Sequence, residues 1–262
     1  MPRIPTDSIF TTSEPSPDWL IKDTIHKGNL IMLAGLAGIG KSMFCYALSN
    51  SLATSTHLLD GAAPEYRVLY CDEENGRADL SAYARWTWRG LGSPSLDMLD
   101  KNLRIESRTL SGSNAWNITL RQMCADFKPD LTIIDTTTPA CHIKDENDNA
   151  EAAAACQQVR LAMDASGPGA VAILLKHLRV DTKTGRVDIR GAKHWKGAVD
   201  AIWYHLFCSG PKRADGWRNT FIRPEKSRAY GLHHDIVIKP QSERGLFVRL
   251  GITRTNNQSA ED

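Results

Sequence analysis

Apolar residues along this chain follow two rhythms. Asn29–Leu33, Arg67–Asp72, Leu103–Ile105, Leu131–Asp135 and Ala170–Leu175 are short runs that are apolar at most positions, and they read as buried strands. Between them the spacing turns helical. Lys41–Leu52 carries Met43, Phe44, Ala47 and Leu48 on one side, and Arg77–Leu91 carries Leu80, Tyr83, Ala84 and Trp88. Trp116–Phe127 stops ahead of Pro129, and Ala-rich Glu151–Ala165 closes at Gly167-Pro168. Such strands alternating with helices imply an α/β fold, a mostly parallel sheet flanked by helices. The pattern then changes. Ala201–Phe207, Asn219–Ile222, Asp235–Lys239 and Leu246–Leu250 look like strands joined by short polar turns, which predicts a C-terminal hairpin that extends the same sheet. The expected organisation is a flexible lead-in over residues 1–17, one domain over 18–252 and a flexible tail over 253–262, with no internal repeat.

One segment carries explicit chemistry. Gly35-Leu36-Ala37-Gly38-Ile39-Gly40-Lys41-Ser42 fits G-x-x-x-x-G-K-[ST], and it sits between a predicted strand and a predicted helix. Glycines let successive backbone N–H groups turn inward onto phosphate oxygens, and the helix adds the positive end of its dipole. Lys41 is placed to reach the β- and γ-phosphates and Ser42 to ligate magnesium. The expected site comprises Gly35, Gly38, Ile39, Gly40, Lys41, Ser42 and Met43, with ATP and magnesium as cofactors. Asp135 closes the run Leu131–Ile134 and is the expected second magnesium ligand, on a strand beside the loop. Hydrolysis also needs a group to orient or deprotonate water. Asp72-Glu73-Glu74 leaves the Arg67–Asp72 run, on a strand expected to neighbour the phosphate strand, and on the residues alone any of the three acids could serve.

Composition narrows the setting. A formal net charge of +2 gives no overall basic excess, so a nucleic-acid partner requires a local patch. No apolar stretch is long enough to span a bilayer, and the six cysteines form no C-x-x-C pair, which together predict a cytoplasmic protein with reduced thiols and no membrane association. His233-His234-Asp235 alternate faces on a predicted strand and imply no further metal.

The succession D-W-L-I, K-G-N-L-I-M-L-A-G-x-x-G-x-G-K-S, V-L-Y-C-D-E-E-N and L-T-I-I-D, together with later segments up to about Leu250, resembles RecA-fold P-loop ATPases, in particular hexameric replicative helicases of the DnaB and plasmid RepA type. The resemblance implies a RecA-like fold and assigns the catalytic base to Glu74, with Glu73 and Asp72 as fallbacks. It implies that His177, at the end of Leu174-Leu175-Lys176-His177, senses the γ-phosphate. It further implies that Glu225-Lys226-Ser227-Arg228 carries a finger, Arg228 assisted by Lys226, acting on nucleotide bound to a neighbouring subunit, and therefore a homo-oligomer, with a hexamer as the expectation from such a family. The stretch Arg190–Asp200 is similar to a segment of these helicases, with His194 and Trp195 as departures.

In such motors the loops after two of these strands face the nucleic acid. The second of them here, Lys176–Lys196, holds seven basic residues against two acidic ones. Arg179, Lys183, Arg186, Arg190, Lys193 and Lys196 are thus the expected contacts to single-stranded DNA, with Lys176 at the start of the loop and Trp195 available to stack on a base. A turn at Thr182–Gly185 makes this loop a hairpin. The expected function is an ATP-driven, helicase-like motor on single-stranded DNA. The alternatives are a recombinase-like filament ATPase, a regulatory ATPase switch with a protein partner, and a small-molecule phosphotransferase.

Overall fold

The computed structural model describes residues 17–56, 58, 64–180, 187–191, 193–210, 212, 218–228, 231–243 and 246–255. Residues 1–16 of the predicted lead-in, residues 256–262 of the tail, the predicted turn Thr182–Gly185, and Lys183 and Arg186 lie outside them. In chain order the elements are β1 (Trp19–Ile21), β2 (Ile25–His26), β3 (Leu30–Gly35), α1 (Lys41–Ala53), β4 (Val68–Asp72), α2 (Arg77–Gly90), α3 (Leu96–Asn102), β5 (Leu103–Ser107) and α4 (Trp116–Phe127). There follow β6 (Leu131–Asp135), α5 (Thr137–Ala140), α6 (Asn149–Ser166), β7 (Val171–Val180), β8 (Val187–Ile189) and α7 (His194–Ala198). The chain then completes the sheet with β9 (Ala201–Phe207), β10 (Thr220–Ser227), β11 (Asp235–Glu243) and β12 (Leu246–Thr255).

The main sheet has the order β12-β11-β10-β9-β3-β7-β6-β4-β5, with β8 attached to β7. From β5 to β9 neighbours run parallel, and β10, β11 and β12 add antiparallel strands at one side, as the C-terminal pattern predicts. Strand geometry sends alternate residues of β3 to opposite faces. Leu30, Met32 and Ala34 pack with Ala152, Ala155 and Val159 of α6, while Ile31 and Leu33 share the other core with Phe44, Leu48 and Leu52 of α1. Each fully buried Leu or Ile contributes on the order of 1.5–3 kcal/mol. The small hairpin β1–β2 covers the second core with Leu20, Ile21 and Ile25.

Several expectations are corrected. Neither acid-bearing strand adjoins the phosphate strand: β7 separates β6 from β3, and both β6 and β7 separate β4 from it. Local pattern marks a strand as buried but carries no information on its neighbours. The stripe on α2 is only half-buried, because that helix faces a cleft; Trp88 donates its indole N–H to the Pro94 carbonyl at 2.9 Å. β7 runs on to Val180 because β8 pairs with it antiparallel, so the basic segment begins inside a strand. Trp195 is fully buried, with its ring 4.9 Å from the Lys176 amine, and cannot stack on a base.

β9 brings His205 beneath the phosphate loop. Its imidazole is buried, with Nε2 2.8 Å from Thr220 Oγ1, and burial, assisted by the Lys41 charge, pushes its pKa down to about 3. A histidine kept neutral in the fold but free to protonate when unfolded costs nothing above its unfolded pKa of about 6.5. Below that value stability falls by roughly 1.4 kcal/mol per pH unit until the folded pKa is reached. Urea unfolding at pH 7.5 and 5.5 should therefore show a loss in the wild type that is smaller by about 1.4 kcal/mol in His205→Gln.

Candidate active site at the carboxyl edge of the sheet

The parallel registers bring the chemistry-bearing residues to one edge. Gly35 lies opposite both His177 of β7 and His205 of β9, and Asp72 lies opposite Asp135. Gly35 has to be glycine because a Cβ there would meet the His205 carbonyl at 2.9 Å and Ile39 Cγ2 at 3.0 Å. Gly40, with φ 100°, occupies the left-handed region as the N-cap of α1 and offers no side-chain cap to the first-turn N–H groups. By contrast, α6 is closed by its own Asp148, which accepts from Ala150 and Glu151. The uncapped donors of α1 are available to phosphate oxygens. Ile39 is buried behind the loop, and Met43 faces the cleft.

A cleft of about 470 Å³ is lined by Gly38, Gly40, Lys41 and Ser42 on the loop side and by Glu74, Asp135 and His177 along the strand edge. Lys41 is buried, and its amine donates to the carbonyls of Gly35 at 3.1 Å and Leu36 at 3.0 Å. Burial lowers its pKa, and the nearby carboxylates of Asp135 and Glu74 act against that.

Two stacked tyrosines, with ring centroids 4.2 Å apart, orient the inner acids. Tyr70 donates to Asp135 Oδ2 at 2.7 Å, and Tyr46 donates to Asp72 Oδ2 at 2.9 Å. Burial raises Asp135 to about 6 against the stabilising hydrogen bonds of Ser42 and Tyr70. Its other oxygen, Oδ1, is buried without a hydrogen-bond partner. An orphaned carboxylate oxygen next to a hydroxyl suits a hard divalent cation, so these residues fit magnesium, which Ser42 and Asp135 would hold.

The three neighbouring acids separate cleanly. Asp72 is fully buried and accepts from Tyr46 and from Asn75, whose backbone N–H reaches it at 2.8 Å. Glu73 accepts from the backbone N–H groups of Leu110 at 3.0 Å and Ser111 at 2.9 Å, and from the Ser111 hydroxyl at 2.7 Å. Both are engaged in holding loops. Glu74 alone of the three opens into the cleft, 3.7 Å from His177 Nε2, and its pKa is lowered first by the His177 hydrogen bond and also by Thr136 and Lys41. The far wall is made by α2 with Asp79, Ala82, Tyr83 and Trp86. Sequence reading missed this aromatic wall and the tyrosine pair. An aromatic in an otherwise aliphatic strand, Tyr70, was the available signal for the pair.

A second polar group sits across β7 from His177. The Lys176 side chain is buried, 3.1 Å from Thr138 Oγ1 and 3.6 Å from Glu146 Oε1, and Glu146 Oε2 is 2.7 Å from Arg190. Of the expected DNA contacts, Arg179, Arg190 and Lys193 are exposed, and Lys196 is half-buried in a 2.8 Å ion pair with Asp188. Lys226 and Arg228 do not join the cleft. Lys226 donates to the carbonyls of Lys196 at 2.5 Å and Val199 at 2.7 Å, and Arg228 donates to that of Gly197 at 2.7 Å.

A family model described as AAA domain matches residues 2–183, more than half of the chain. The chain belongs to the AAA domain family. Membership makes it a P-loop ATPase, and the fold is RecA-like. Among solved structures it is similar to the flagellar accessory protein FlaH from Methanocaldococcus jannaschii, with a TM-score of 0.55 and 12% identity, over 87% of this chain and 90% of that chain. At that identity the likeness concerns the fold alone. No curated protein matches the chain. No described helix is long and apolar enough to cross a membrane.

Two outcomes check the site. Lys41→Ala removes charge-assisted bonds of roughly 1.5–3 kcal/mol, so titration with a fluorescent ATP analogue should show affinity lower by about ten- to a hundredfold. Asp135 must be ionised to ligate metal and protonates below its pKa of about 6. The magnesium-dependent part of ATP affinity should therefore weaken about fourfold between pH 7.5 and 5.5 in the wild type, and should not follow pH this way in Asp135→Asn.

Proposed function

We propose that this AAA-domain ATPase is a helicase-like motor that hydrolyses ATP between subunits of a ring and moves along single-stranded DNA. The observation that supports this reading is the placement of Lys226 and Arg228 at the edge of the sheet opposite the phosphate loop. Gly35 is level with His205, and Ile31, near the start of the same strand, is level with Ala201. Ala201 in turn pairs with Ser227, just before Arg228. Four residues of strand separate these levels, about 13 Å at 3.3 Å per residue. Lys226 and Arg228 are therefore remote from their own phosphate loop. In a head-to-tail assembly they would approach the loop of the next subunit, which is the geometry that closes into rings.

Within the cleft, Lys41 and the α1 N–H groups would bind the phosphates, and Ser42 and Asp135 would hold magnesium. That ion would neutralise developing charge on the phosphoryl oxygens. Glu74, kept ionised by its lowered pKa, would orient and deprotonate the attacking water. Tyr83 and Trp86 would offer ring faces to the base. His177 contacts Glu74 on one face of β7, while Lys176, its neighbour in sequence, contacts the Glu146–Arg190 pair on the other. A shift of His177 on nucleotide turnover would thus reach the β7–β8 hairpin, whose exposed Arg179 and nearby Lys193 would follow a phosphate backbone.

A second reading is a regulatory ATPase switch with a protein partner. It draws on the engagement of Arg190 and Lys196 by Glu146 and Asp188 and on the burial of Trp195, which leave less of the hairpin free for DNA than its composition suggests.

ATPase rate with and without single-stranded DNA distinguishes the two. The motor predicts stimulation of tenfold or more that fades with added salt, and a rate indifferent to DNA at low salt would favour the switch. Arg228→Ala should retain ATP binding and lose hydrolysis. Mixing it with Glu74→Gln subunits should restore activity at the interfaces where an intact finger meets an intact base, and absence of rescue would count against the shared site.

A further inference from the structure

A second cavity lies outside the catalytic cleft. It has a volume of about 370 Å³, at the small end of ligand pockets, and is bounded by the first turn of α4, the first half of α6 and the loop that follows α5. Its apolar surface comes from Trp116, Ala154, Ala155 and buried Cys141. Its polar groups are amides and an imidazole: Asn114, Asn117, Gln158 and His142. Asn117 Nδ2 donates to Gln158 Oε1 at 3.1 Å, which leaves the Asn117 carbonyl and the Gln158 amide hydrogens for a ligand. His142 has a left-handed backbone, φ 51°, and its Nε2 lies 3.2 Å from the Leu110 carbonyl. A carbonyl can only accept, so Nε2 carries the proton and Nδ1 of the neutral ring is an acceptor.

The charge of the lining narrows the ligand class. Among the described residues no Lys or Arg lines the cavity, and the carboxylate there, Glu151, already accepts from the backbone N–H groups of Lys144 at 2.8 Å and Asp145 at 3.2 Å. Phosphate would find no cation there. An uncharged planar group with adjacent donors and acceptors would find an indole face, amide hydrogens and an imidazole lone pair. That is the chemistry of a nucleobase.

The cavity has two physical links to the rest of the molecule. The descending side of the basic hairpin packs on the segment leading into α6, where the His194 N–H donates to Asn149 Oδ1 at 3.0 Å and Arg190 pairs with Glu146. In the other direction, the Leu110 carbonyl faces His142, while the N–H groups of Leu110 and Ser111 hold Glu73, the residue before Glu74.

We propose that this cavity is a nucleobase-binding site, distinct from the ATP cleft, whose occupancy is felt at Glu74 through His142, the 110–111 backbone and Glu73. If the base belongs to a single strand held by the hairpin, this deepens the motor reading and rests on it. A free nucleoside offers the same chemistry from another source.

The test is photocrosslinking of the full chain to 4-thiothymidine, once as the free nucleoside at millimolar concentration and once within a single-stranded oligonucleotide, with adducts mapped by mass spectrometry. The expected result is an adduct on the peptides carrying Trp116 or His142. It should fall at least tenfold in Ala154→Phe, which fills the cavity from an exposed position on α6, and circular dichroism would establish that this variant is folded. Adducts from the oligonucleotide alone would assign the site to a strand, and adducts competed by free thymidine would assign it to a nucleoside. Absence of adducts at both peptides with both probes, or adducts that persist in folded Ala154→Phe, would overturn the proposal. Crosslinking requires no turnover, so loss of the site and loss of DNA-stimulated hydrolysis are separate outcomes.

Discussion

Everything at the candidate site depends on the parallel pairing of β3 with β7 and, through it, with β6 and β4. Parallel strands end at the same edge, so the residues that close them are delivered to one place. Gly35 and His177 share one level and Asp135 and Asp72 share another, two residues earlier along the strands, although the four are spread over more than a hundred residues of sequence. The shared edge explains how Glu74 reaches the cleft from a strand that two others separate from the phosphate strand. It lies beyond the strand end, where the chain is free to turn back over β6 and meet His177.

The same edge concentrates negative charge in a buried setting, which is costly unless each carboxylate has a partner. The stacked pair Tyr46 and Tyr70 meets this need for Asp72 and Asp135 from the core side, leaving one Asp135 oxygen buried without a hydrogen-bond partner. Glu73 accepts hydrogen bonds from the backbone of the 110–111 segment and from the Ser111 hydroxyl. Glu74 has a histidine partner, itself partly exposed, and Thr136, and with about half of its side chain exposed it is the acid of the three most open to solvent. The difference between structural and chemical acids here is a difference in how many donors surround each one.

On the far edge, the antiparallel return of β10 carries Lys226 and Arg228 to the level of the starts of β3 and β9. Their present partners are carbonyls around α7, together with Asp200, 3.6 Å from Arg228. Arg228 remains more than half exposed, so its contacts are of the kind that exchange readily with another acceptor.

Local pattern was sufficient for much of this. The glycines, Lys41 and Ser42 of the phosphate loop are legible because backbone geometry and phosphate chemistry constrain residues at consecutive positions. Trp116–Phe127, Leu131–Asp135 and Ala201–Phe207 have the bounds their periodicity implies, because burial of one face is written at short range. Strand order was not legible, since any fully apolar strand can take any interior place, and so β4 was expected beside β3. Nor could composition show which of the basic residues around the hairpin are already paired, or that Trp195 turns inward beneath Lys176. The sequence by itself determined the elements and the phosphate chemistry, which depend on neighbours along the chain. The tertiary structure alone decided which acid faces the cleft, which tyrosines orient the others and on which edge Lys226 and Arg228 lie, because those depend on contacts between residues far apart in sequence.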